Sequence, residues 1–307
     1  MKNMIVMLVV AGLLAAGAVY WFVVKDDDTD IADSTQSTQV VELAKSDSFP
    51  LGLTFSGLQP LNSGVYEGWV VRAGVKYSFG TFNTTDEGAV VGEMSLTEIT
   101  PQNGDKVVIS IEPDNDTDPE SSATIILAGD LVDGTASLTF PVDVSGYSGQ
   151  YILGTPTSAT DDDELSGIWF TATGSDQLLD IPVAPAGWIY EGWVVVNSTP
   201  VSSGQFSDPN AADLFDGYSG PGSAPNKPGE DYAVNLPNGL IAPLNLTDGS
   251  SSVVLSLEPF QDGEDPTGPV PAQVKPLSAK IAADSTDHTP YDLTLSTASV
   301  PSGSASL

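Results

Sequence analysis

The chain has 307 residues, no cysteine, a single histidine, and 9 Lys+Arg against 41 Asp+Glu, a formal net charge of −32. A chain this acidic repels the phosphate backbone, which argues against a nucleic-acid partner. Without cysteine and with only His288, the sequence excludes disulfides, thiolate zinc sites, cysteine nucleophiles and histidine-rich metal centres, while 40% hydrophobic residues suffice for packed cores.

Met4 to Val24 is uncharged over 21 positions, long enough as a helix, at about 1.5 Å per residue, to cross a bilayer core. Residues 1–24 are therefore expected to be a signal-anchor transmembrane helix in the plasma membrane, single-pass, with the bulk of the chain extracytoplasmic. Ala16-Gly17-Ala18 offers a small-residue cleavage site, and cleavage near Ala18 would give a secreted protein. Against it, the apolar stretch runs on through Val24, and Tyr20-Trp21-Phe22 suits an interfacial aromatic belt. Residues 25–47, with Asp26, Asp27, Asp28, Asp30 and Asp33, read as an acidic, solvated stalk. Sequons at Asn83, Asn115, Asn197 and Asn245 permit glycosylation of an exported chain.

Beyond the stalk the chain repeats itself. Tyr66-Glu67-Gly68-Trp69-Val70-Val71 recurs as Tyr190-Glu191-Gly192-Trp193-Val194-Val195, and Gly80-x-Phe82 recurs as Gly204-x-Phe206, both at an offset of 124. A second block, Val107–Pro113, matches Val253–Pro259 at an offset of 146, so copy two carries about 22 extra residues between its blocks. The stretch 208–243, dense in Gly, Pro, Asn and Asp, reads as a long irregular loop that holds them. Short Val-, Ile-, Tyr- and Thr-rich runs separated by Gly, Pro or Asp predict strands at Tyr66–Val71, Val107–Ile111, Ala123–Leu127, Ala136–Val142, Ile168–Ala172, Trp193–Val196 and Val253–Leu257. The expected fold is all-β: two tandem antiparallel β-sandwich (Ig-like) domains over 48–145 and 146–307, hinged near Ser145–Gly149, the second ending in a flexible tail.

Tyr190-Glu191-Gly192-Trp193, the hairpin Pro200-Val201-Ser202-Ser203-Gly204-Gln205-Phe206, and Leu257-Glu258-Pro259 leading to Pro266-Thr267-Gly268-Pro269 stand in one order. In these motifs the second copy resembles the extracytoplasmic C-terminal domain of anti-sigma-K-type factors. The first copy is similar without the Thr-Gly-Pro close. The resemblance implies a β-sandwich sensor or interaction module outside the membrane. Only Met1-Lys2-Asn3 precedes the apolar segment, so a cytoplasmic sigma-binding domain is not expected.

Candidate chemistry is sparse. Glu67 and Glu191 are equivalent carboxylates that could share acid/base work in a hydrolase, although duplication alone explains the pair. Glu112 and Glu258, each before Pro, are expected to fix the loops after their strands. Alternation places Tyr66 and Trp69, and likewise Tyr190 and Trp193, on opposite strand faces, so one of each pair should lie in a core. Trp69, Trp169, Trp188 and Trp193 could instead form an aromatic platform for sugars. Asp114, Asp116 and Asp118 supply oxygen ligands at every second position, the best calcium candidate. Pro119 and Ile125 stand where an EF-hand requires Gly and Glu, however, and acidic turns in so charged a chain are usually solvated. The runs 161–164 and 262–265 could collect cations in the same way. No other cofactor is expected, and His288 reads as an exposed loop residue. The expected function is a non-catalytic, membrane-anchored binding module of the cell envelope, its partner an envelope protein or glycan; the alternatives are an envelope stress sensor or anti-sigma-factor-like regulator acting through a partner membrane protein, and a carboxylate-dependent hydrolase.

Overall fold

The computed structural model describes residues 51–85, 88–160, 164–172, 176–261 and 266–307. The expected anchor and stalk, and the acidic stretches 161–163 and 262–265, lie outside them. Among the described residues every regular element is a β-strand, as composition and turn spacing predict. No helix among them is long and apolar enough to cross a membrane.

The largest sheet has eight strands. In spatial order these are β1 (Gly52–Ser56), β18 (Ser302–Ser306), β7 (Thr135–Thr139), β6 (Ile125–Val132), β5 (Lys106–Glu112), β2 (Val65–Arg72), β3 (Val75–Thr84) and β4 (Val90–Gly92), with every neighbouring pair antiparallel. A five-stranded antiparallel sheet belongs to copy two: β12 (Thr199–Phe206), β11 (Trp188–Val196), β14 (Ser252–Pro259), β15 (Leu277–Lys280) and β17 (Thr294–Leu295). A smaller group joins β10 (Leu179–Asp180), β8 (Ser148–Leu153), β9 (Ile168–Trp169) and β13 (Gly229–Glu230), with β16 (Tyr291–Asp292) paired to β8.

The duplication holds down to register. Tyr66 faces Phe82 and Ile111, while Tyr190 faces Phe206 and Leu257. Both hairpins carry a β-bulge at the same place, after Gly68 opposite Gly80 and after Gly192 opposite Gly204. Each turns through two residues with positive φ, Ala73-Gly74 and Asn197-Ser198. That is the type I′ geometry whose twist matches the strands it joins. Tyr66 stacks on Phe82 at 5.4 Å between centroids, and Tyr190 packs on Phe206 at 5.7 Å.

Tyr66 and Tyr190 enter one continuous apolar core, but Trp69 and Trp193 on the opposite strand face are buried as well. The tryptophans are covered because β11, β14 and β5, the neighbour of β2, are buried on both faces.

All described residues fall in one compact unit, and a single core cluster runs through both copies. Tyr66, Ile111, Trp188 and Leu257 meet around a void of only about 20 Å³. Thr124 Oγ1 donates to Gly187 O at 3.0 Å, Asn62 N donates to Pro266 O at 2.9 Å, and Phe140 packs edge-on against Trp188. Tyr147, within the expected hinge, is buried and shares a 2.9 Å hydroxyl–hydroxyl hydrogen bond with Tyr190. The expected flexible tail is strand β18, inserted between β1 and β7 of the first copy's sheet. Its small residues gave no strand signal, because a Ser/Gly/Ala strand is defined by its partners rather than its own propensity.

Candidate functional site

Each copy carries one polar network on the strand face away from the main core. Trp69 Nε1 donates to Ser110 Oγ at 2.8 Å, Ser110 donates to Glu112, and the Glu112 carboxylate accepts Ser122 N at 2.9 and 3.0 Å. In copy two Trp193 Nε1 donates to Ser256 Oγ at 2.9 Å and Ser256 to Glu258. The Glu258 carboxylate accepts Ala272 N at 2.9 and 3.0 Å and Thr267 Oγ1 at 2.8 Å. Glu112 and Glu258 are both buried, and each closes the loop that follows its strand. Burial pushes the Glu112 carboxyl up, against the lowering effect of Ser110 and Ser122.

Glu67 accepts from Ser78, and Glu191 accepts from Ser202 and from Gln205 Nε2 at 2.8 Å. Each is thus bound within its own hairpin. Asp114, Asp116 and Asp118 are exposed; Asp116 and Asp118 cap their own turn, accepting Asp118 N and Glu120 N at 2.9 and 3.0 Å. Among the described residues no three acidic or imidazole side chains converge to hold a metal ion. Asp114, Asp116 and Asp118 belong to no such group, and the Asp116 and Asp118 carboxylates are engaged by backbone N–H groups of their own turn. Trp69, Trp169, Trp188 and Trp193 are all buried, so they form no exposed platform. His288 is exposed, with Nε2 3.7 Å from Glu164 Oε2.

What the sequence leaves as an irregular loop is ordered by buried side chains. In copy one the motif glycine Gly80, at φ 113°, lets the returning chain pass, since a Cβ there would lie 2.6 Å from Glu93 O. The equivalent Gly204, at φ 104°, makes room for the carboxylate of Asp213. Asp213 accepts Phe215 N and Gly229 N, both at 2.9 Å. Behind it two fully buried acids tie the insertion down. Glu230 accepts Ser219 Oγ, Asp231 N at 2.8 Å and Tyr218 N at 3.2 Å. Asp231 accepts Trp169 Nε1 at 2.9 Å, Thr157 N at 2.8 Å and the Thr157 hydroxyl, which in turn accepts Gly220 N at 2.6 Å. The insertion thereby encloses an open cleft of about 400 Å³, with Asp213, Phe215, Ser219, Asn226 and Lys227 in its walls and buried Trp169 at its floor.

The chain matches no protein-family model, no curated protein and no solved structure. The cleft has to be judged on its own chemistry. A carboxylate, an ammonium, a hydroxyl and an amide surround an aromatic ring that is 39% exposed and packed edge-on against Tyr218 at 4.8 Å. These groups can hold a polar ligand that has an apolar face.

Asp213, Phe215, Lys227, Glu230 and Asp231 escaped the sequence reading. The available signal was the growth of the repeat offset from 124 to 146, which marks residues that copy one folds without.

Burial and the neighbouring Glu230 push the Asp213 carboxyl up to about 7, against the lowering effect of the two backbone N–H groups. Glu230 and Glu112 are likewise raised, chiefly by burial. A carboxyl raised by folding contributes full stability below its unfolded pKa and loses it as pH rises through the folded one. Asp248, held at about 2 by Ser250, and Asp105, lowered by Arg72, act in the opposite sense and lose stability as pH falls. Thermal stability is therefore expected to peak in mild acid and to fall between about pH 4 and pH 7, where Asp213 ionises. The melting temperature at pH 5 should exceed that at pH 8, by less in Asp213→Asn. A higher value at pH 8 would contradict this charge assignment.

Proposed function

We propose that this chain is a membrane-anchored extracytoplasmic protein of the cell envelope, non-catalytic, which binds its ligand in the cleft of its second copy. In this reading residues 4–24 anchor it, and two fused β-sandwich (Ig-like) halves stand outside the membrane. The observation that carries the reading is the cleft itself. An insertion absent from copy one is fixed by two buried carboxylates and leaves an open cavity beside an exposed aromatic ring. The likeness of the Tyr-x-x-Trp and Gly-x-Phe motifs to the extracytoplasmic domain of anti-sigma-K-type factors supports the same compartment. The uncharged segment and the charge of −32 support it too, since an acidic surface favours solubility outside a membrane.

The test combines topology with binding. Protease added to intact cells should degrade the chain, and envelope extract should bind the purified protein unless the cleft is blocked by Ala224→Trp, a substitution of a residue that lines it. Protection from protease together with cleft-independent binding would defeat the reading.

A further inference from the structure

The cleft's lining restricts what it can hold. At about 400 Å³ it lies toward the low end of small-molecule sites, roughly 300–1,000 Å³, and it is concave, unlike the flat patches that proteins present to each other. Its walls oppose an anion. Among the described residues Lys227 is the only cation in the lining, and its Nζ already approaches Asn210 O at 3.2 Å and Asn210 Oδ1 at 3.4 Å. Asp213 and Asp216 oppose an anion, while each Asp213 oxygen already accepts a backbone N–H. Every such oxygen keeps a second lone pair for a ligand hydroxyl. Asn226 is exposed and can both donate and accept. The Ser219 hydroxyl donates to Glu230, which leaves its oxygen free to accept. Phe215 offers a flat apolar face beside these groups, braced by Tyr218. The ligand that matches is uncharged, rich in hydroxyls on its rim and apolar on one ring face. A sugar ring is such a body.

We propose that the cleft binds a neutral saccharide of one or two rings, with Phe215 stacked on a ring face and Asp213, Asn226 and Lys227 bonded to its hydroxyls. This rests on the binding role proposed above and names its ligand class. The platform is one exposed phenyl ring, not the four tryptophans.

The purified full-length chain, in detergent, is titrated with a panel of neutral hexose and N-acetylhexosamine disaccharides, beside uronic-acid disaccharides as the charged arm. A neutral member should bind at millimolar or lower concentration. Phe215→Ala should weaken it about tenfold or more, Phe215→Trp should restore it, and Asp213→Asn should weaken it, all at an unchanged melting temperature for the Phe215 variants. Tenfold in affinity corresponds to about 1.4 kcal/mol. Binding by no neutral member, preference for the charged arm, or binding unaffected by Phe215→Ala would each overturn the saccharide assignment. If envelope extract still binds through the cleft in that case, only the ligand class fails; if it does not, the binding role fails as well.

Discussion

A chain cut after Pro301 is expected to lose most of its stability. The six residues removed include β18, which pairs with β1 over five residues and with β7 over five more. Deleting it strips β1 from the sheet, uncovers the edge of β7 and removes buried Ala305. At about 0.5–1.5 kcal/mol net for each backbone hydrogen bond, two such ladders amount to several kcal/mol. The whole stability of a domain is about 5–15 kcal/mol. The exposed β7 edge would also invite aggregation. Circular dichroism melting of the cut and complete chains measures the effect. An unchanged midpoint would mean that the last residues are the dispensable tail suggested by their composition.

The second large effect is expected at Glu258. Its carboxylate is fully buried and gathers Ser256 Oγ, Thr267 Oγ1 and Ala272 N around one point. Glu258→Ala would leave those donors without an acceptor and open a cavity beside Lys275, whose ammonium is lowered by burial and supported by Glu258. Each orphaned buried group costs about 1–3 kcal/mol, so the substitution should cost roughly 3–5 kcal/mol. Glu258→Gln keeps the shape and one acceptor oxygen and should cost less than half as much. Equal losses for the two variants in chemical denaturation would show that side-chain volume, and not the hydrogen-bond hub, holds the loop. Glu112→Ala should be milder, since Glu112 serves two partners in the corresponding place.

What the sequence made legible follows the physics of each segment. Val107–Ile111 and Val253–Leu257 are β-branched runs flanked by turn residues, and they lie within β5 and β14. The paired Tyr-Glu-Gly-Trp blocks marked the duplication, and Glu-Pro marked carboxylates that close loops. The bulge glycines were visible as motif residues, although nothing in the sequence says that Gly204 seats a carboxylate. Ser302–Ser306 has no apolar alternation, so its place in the first sheet could not be read locally. The insertion is irregular as expected, with only the two-residue β13 in it, but what orders it was not legible. Gly, Pro and Asp signal turns, but Glu230 and Asp231 order this one through bonds to residues as distant as Thr157 and Trp169. Spacing along the chain does not by itself make ligands converge, and Asp114, Asp116 and Asp118 form no cluster among the described residues.

The central claim is that the two copies form one body, with the cleft carried on the second. Differential scanning calorimetry of residues 25–307 tests it most directly. One core and a C-terminal strand in the first copy's sheet require a single transition with equal calorimetric and van't Hoff enthalpies. Two separable transitions, one surviving when the chain is divided near residue 145, would contradict it.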